Sequence, residues 1–141
     1  GLTFCAGSFS AGEHNDCVAM AKQFADRTHF VHLRSCYIFP DGNFTEASHL
    51  GGRGHLIELC RIFEKAEQEG KCNSGRRLPM RVDHGMTFTD EPGGVFDESN
   101  HGHNAGYTLL GRMFAMGQIQ GVIATVDDEL GIEYKQPGFY D

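Results

Sequence analysis

Cys5, His32 and Asp83 are three residues of metal-ligand type, and each closes a short apolar run: Leu2 to Cys5, Thr28 to Leu33, and Leu78 to Val82. A thiolate, an imidazole and a carboxylate brought to one point make a site for a divalent cation. Arg34 stands beside the second of these positions, and Arg81 and His84 flank the third. Taken singly, each has a plainer reading, since a cysteine is commonly a small buried hydrophobe and an Asp-His pair commonly belongs to a turn. The case for chemistry is that one structural position is used three times in succession. Tyr107, after Asn104-Ala105-Gly106, either brings its hydroxyl over such a site as a proton donor or packs its ring at the start of a helix.

The elements that must position these groups are legible in the periodicity. The three apolar runs, rich in β-branched and aromatic residues, read as strands, with Pro79 tolerable near the beginning of the third. Between them Cys17, Met20, Ala21 and Phe24 fall on one helical face, with Asn15 or Asp16 as N-cap. Leu56, Leu59, Cys60 and Phe63 repeat the pattern up to a stop at Gly70. Leu110, Met113, Phe114 and Gly117 predict a third helix, and Ile119, Val122, Ile123 and Val126 a fourth. Residues 34–54 and 83–104 read as long loops. The order β-α-β-α-β-α-α implies a parallel sheet, whose C-terminal strand ends are where ligand sites form. Within Thr28 to Leu33, alternation sets Phe30 and His32 on one face, so His32 can share a mouth with Cys5 and Asp83.

Three parallel strands alone leave two long open edges, so the alternatives are a small open α/β domain or part of a larger (β/α)₈ barrel. Ser8 and Ser10 read as helix caps. His14, His29, His49 and His55 read as solvated or capping, and His101 and His103 as loop residues or part of a lid.

Composition narrows the classes. With 12 Lys and Arg against 19 Asp and Glu in 141 residues, the net charge is −7, which argues against nucleic-acid binding. A hydrophobic content of 40%, with 11 Phe, supports a packed core, and no continuous apolar run has the length of a membrane span. The five cysteines show no paired spacing, so a reduced, cytoplasmic protein is expected. The chain begins without Met, as if inside a first strand, and a fragment is expected.

Five runs in one order then resemble a known family: Leu2-Thr3-Phe4-Cys5-Ala6-Gly7-Ser8, Phe30-Val31-His32-Leu33-Arg34-Ser35, Glu46-Ala47-Ser48-His49-Leu50-Gly51-Gly52, Pro79-Met80-Arg81-Val82-Asp83-His84-Gly85, and Asn104-Ala105-Gly106-Tyr107-Thr108-Leu109-Leu110-Gly111-Arg112. Together they resemble the C-terminal part of D-mannonate dehydratase. The resemblance implies the C-terminal part of a TIM (β/α)₈ barrel of the xylose-isomerase-like kind, incomplete here, with residues 1–131 as barrel segment and 132–141 as tail. It implies a metal-dependent hydro-lyase converting D-mannonate to 2-keto-3-deoxy-D-gluconate in hexuronate (glucuronate) catabolism.

By motif position the resemblance makes Cys5, His32 and Asp83 ligands of Mn²⁺, with a further His on an earlier strand outside this chain. Cys5 is a soft ligand for Mn²⁺ and would also suit Fe²⁺ or another divalent metal. His84 and Tyr107 become the proton-transfer pair, and Arg81, Arg34 and His49 substrate contacts. Lacking a ligand and much of the barrel, the isolated chain is expected to be inactive, and a homo-oligomer is expected. Two other readings stand beside this one: a metal-dependent sugar isomerase or epimerase of the same barrel kind, and a non-catalytic α/β fragment that self-associates.

Overall fold

The computed structural model describes residues 1–88 and 106–133. The expected units are present as strands β1 (Leu2–Cys5), β2 (Thr28–His32) and β5 (Met80–Arg81), joined in one parallel sheet of order β1-β2-β5. Cys5 is the register partner of His32, and His32 that of Arg81. The three strand ends are thus level, and the residues leaving them face a common edge.

Helix α1 (Ala6–Ser10) follows β1 directly, where the sequence reads as a small-residue loop. Helix α2 (Cys17–Phe24) starts as expected, and Asp16 rather than Asn15 is the cap, accepting from the backbone N–H groups of Val18 and Ala19 at 3.0 Å each. Helix α3 (Leu56–Gln68) ends at Glu69 and Gly70, the latter in the left-handed region.

Two expectations are corrected. Residues 34–54 contain an antiparallel hairpin of β3 (Cys36–Ile38) and β4 (Phe44–Glu46), too short and too exposed to announce itself by period. The third and fourth helices are one, α4 (Leu109–Leu130), because the isolated Gly117 is tolerated inside a helix. That helix is long and apolar enough, by length and composition, to cross a membrane, although Arg112, Gln118 and Gln120 interrupt any continuous apolar run. In this fold one side of it is packed: Ala115, Ile119 and Val126 are buried.

The core lies between the sheet and the helices. Phe4 of β1 makes edge contacts with Phe9 at 5.0 Å and with Phe63 of α3 at 5.2 Å, and Val31 of β2 and Leu33 just after it join the same buried cluster. Burying each such side chain contributes roughly 1.5 to 3 kcal/mol. Arg61 of α3 grips Glu129 of α4 through two hydrogen bonds of 2.8 and 3.0 Å. At the surface that pair adds little.

Candidate metal and proton-transfer site

Asp83 leaves β5 with a φ of 51°, in the left-handed region that few non-glycine residues adopt, and this turn directs its carboxylate back across the strand ends. One ligand atom each from Cys5, His32 and Asp83 lies within 4.8 Å of the other two. His32 Nδ1 is 3.6 Å from Asp83 Oδ2. Donors sharing one ion at about 2.0 to 2.3 Å sit roughly 3 to 4 Å apart, so modest side-chain rotation closes the group on a cation. Among the described residues no other set of three His, Cys, Asp or Glu donors comes as close. The mixed S, N and O set suits a divalent transition metal.

The electrostatics are organised around Asp83, whose side chain is 8% exposed. Burial works to raise its carboxyl, but His32, Arg81 and His84 together hold it below the usual carboxylate range. Burial lowers His32, and Arg81 and His84 add to that lowering while Asp83 opposes it. Arg81 Nη2 donates to Asp83 Oδ1 at 2.5 Å and Tyr107 Oη donates to the same oxygen at 3.2 Å. His84 Nε2 is 3.9 Å from Asp83 Oδ2, and its ring meets that of Tyr107 edge-on at 4.3 Å. The two residues expected to handle protons therefore flank the same carboxylate as the three expected to hold a metal.

Gly106 makes this juxtaposition possible. Its φ is +87°, and a Cβ there would stand 2.8 Å from His84 Nδ1 and 3.1 Å from Glu46 Cγ. Its carbonyl accepts from the Gly85 backbone N–H at 2.8 Å, stitching the turn after β5 to the segment that carries Tyr107.

Other expected site residues fall differently. His49 is neither solvated nor a cap: it is 2% exposed, and its Nε2 donates to the Val82 carbonyl at 3.1 Å. Burial lowers its imidazole. Arg34 is engaged by Glu46, donating from Nε at 2.9 Å and from Nη2 at 2.5 Å, so both prongs of its fork are occupied. Glu46, at the end of β4, was not singled out from sequence. Its only signal was its place in the run Glu46 to Gly52, yet its Oε1 also lies 3.1 Å from His84 Nδ1. Ser8 Oγ donates to Cys5 Sγ at 3.1 Å and Ser10 Oγ sits 3.2 Å from Cys36 Sγ, so neither acts as a helix cap. His14 and His55 are exposed, as expected. His101 and His103, and the tail from 134 onward, lie outside the described residues. A cavity of about 670 Å³ runs along the free edge of β5 toward α4; it touches Arg81 and Asp83 but none of Cys5, His32, His84 or Tyr107.

Comparison with known proteins bears on the chain as a whole. The chain is 39% identical over 132 residues to mannonate dehydratase 2 of Agrobacterium fabrum, covering 92% of the chain and 31% of that protein. It is 38% identical over 129 residues to the mannonate dehydratase of Saccharophagus degradans, with 90% and 31% covered. It spans about a third of the length of these curated relatives. The crystal structure of mannonate dehydratase from Streptococcus suis serotype 2 superposes on the whole chain and on 38% of its own, with a TM-score of 0.70 at 19% identity, which places the fold. The family model described as D-mannonate dehydratase (UxuA) matches residues 1–132, and the chain belongs to that family.

Proposed function

We propose that this chain is the C-terminal, metal-binding segment of a TIM-barrel hydro-lyase that dehydrates D-mannonate to 2-keto-3-deoxy-D-gluconate in hexuronate breakdown. The observation that carries the reading is the convergence of Cys5, His32 and Asp83 on one point, with His84 and Tyr107 flanking the same carboxylate. Family membership and relatives named mannonate dehydratase support the substrate and reaction class. The parallel sheet, whose outer edges have no partner among the described strands, supports the barrel, since closure removes such edges.

Cys5, His32 and Asp83 would hold the cation, Mn²⁺ or Fe²⁺, with a further ligand from outside this chain. When bound, the metal supplies Lewis-acid stabilisation of the negative charge that develops beside the substrate carboxylate. The chain's own groups then divide the remaining work. His84 and Tyr107 move the two protons of the reaction: one leaves C2, and one joins the departing C3 hydroxyl so that water is released. Each such transfer contributes roughly 10² to 10⁴ in rate. Arg81, with 43% of its side chain exposed, offers a guanidinium to the sugar-acid carboxylate. Arg34 and His49 act from behind, as supports of the site's frame.

The test is product analysis. The chain replaces the matching third of the Agrobacterium fabrum relative, and the hybrid is incubated with D-mannonate and Mn²⁺. A 2-keto-3-deoxy acid is the expected product, whereas a ketose or an epimer formed without loss of water would favour an isomerase instead. The unjoined chain, lacking one ligand, should give no product.

A further inference from the structure

We infer that Glu46 is a positioning residue that fixes the tautomer of His84; the inference rests on the reading of His84 as a proton-transfer group. The Glu46 side chain is 8% exposed, and its Oε1 lies 3.1 Å from His84 Nδ1. A carboxylate oxygen in this contact accepts, so Nδ1 carries the hydrogen and the lone pair of the neutral ring is on Nε2. Nε2 is the nitrogen that faces the metal-type group, 3.9 Å from Asp83 Oδ2. The arrangement is over-determined. Arg34 holds both oxygens of Glu46 through bonds of 2.9 and 2.5 Å. Gly106 leaves room for His84 and Glu46 to meet, where a Cβ would stand 2.8 Å from Nδ1. The Tyr107 ring packs edge-on against that of His84, with centroids 4.3 Å apart.

The consequence is directional. A proton taken from a substrate carbon goes to Nε2, the bonding pair stays on the substrate, and the imidazolium that results still donates from Nδ1 to Glu46. Without the carboxylate the ring would revert to the mixture of free imidazole, in which the Nε2–H form predominates and offers its lone pair on the wrong side.

Histidine labelled with ¹⁵N in the 141-residue chain, observed at a pH where the ring is neutral, reads the tautomer directly and needs neither metal nor substrate. His84 should appear as a single Nδ1–H form. Glu46→Ala should shift it to predominantly Nε2–H, and Glu46→Gln, whose amide oxygen can accept, should restore Nδ1–H. A wild-type His84 that is Nε2–H or an even mixture overturns the inference, whatever the variants do. In the Agrobacterium hybrid, Glu46→Ala should lower kcat roughly 10- to 100-fold with KM little changed. A hybrid that makes no keto-deoxy acid while His84 shows the Nδ1–H form would refute the dehydratase reading and leave the positioning role intact.

Discussion

Cys5 differs from the other four cysteines in being partly exposed, while Cys17, Cys36, Cys60 and Cys72 are buried. Burial raises the Cys17 thiol to about 11 and the Cys60 thiol to about 12, which disarms both as nucleophiles. A thiol reagent applied to the native chain should therefore titrate one cysteine quickly, and Cd²⁺ added beforehand should protect it. Rapid modification of several thiols, or no protection, would count against the placement of Cys5. Tyr107→Phe should leave metal affinity unchanged and reduce turnover of the hybrid at least tenfold, a split measured by parallel metal titration and product assay. At this scale much was legible in sequence: the residues at strand ends were found by type and place, because alternation and register dictate where they point. Glu46 was not, and His49 entered through the resemblance while its burial was missed. A lone Glu in an exposed hairpin carries no periodic signal, and the burial of His49 depends on a contact with Val82, 33 positions away.

The elements were legible where one face is buried and periodic, as in α2 and α3, and illegible where tertiary contact decides. The hairpin β3–β4 is of the second kind, and so is the close approach of the residues after β5 to the start of α4. There a Cβ on Gly111 would meet the Met86 carbonyl oxygen at 1.9 Å. Gly111→Ala should cost about 1 to 3 kcal/mol by overpacking, measured by denaturant unfolding, and should disturb the adjoining Tyr107. Glu64 of α3 gives a pH test. Burial, then Asp127 and Glu67, raise its carboxyl to about 7 against a smaller opposing pull from Arg77. Between the ordinary carboxylate value and 7 the folded form holds a proton that the unfolded form has lost, so stability falls as pH rises through that window and levels off above it. Glu64→Gln should flatten this slope and stabilise the chain at pH 8 by about 1 to 2 kcal/mol, allowing for partial solvent screening. An unchanged pH profile would place Glu64 in water.

The whole molecule leaves apolar surface uncovered. On α4, Leu109 is 72% exposed and Met113 53% exposed, and the outer edges of β1 and β5 have no neighbour among the described strands. The chain spans about a third of its relatives' length, and an exposed apolar patch of this kind favours association. Sedimentation should accordingly show association that strengthens with concentration, and Met113→Glu should weaken it; a monomer at all concentrations would contradict this. The fold class was readable because three strand-helix units repeat one plan. The barrel reading came from the resemblance, since a sheet of three parallel strands does not by itself announce one.

The convergence of three strand ends on one cation is tested most directly by titrating the chain with Co²⁺, whose bond to a thiolate has its own charge-transfer absorption. One equivalent should bind with that band present. Cys5→Ala should abolish the band, and His32→Ala and Asp83→Ala should each weaken binding at least tenfold. Binding that is unchanged in all three variants, or a band that survives Cys5→Ala, would contradict the account.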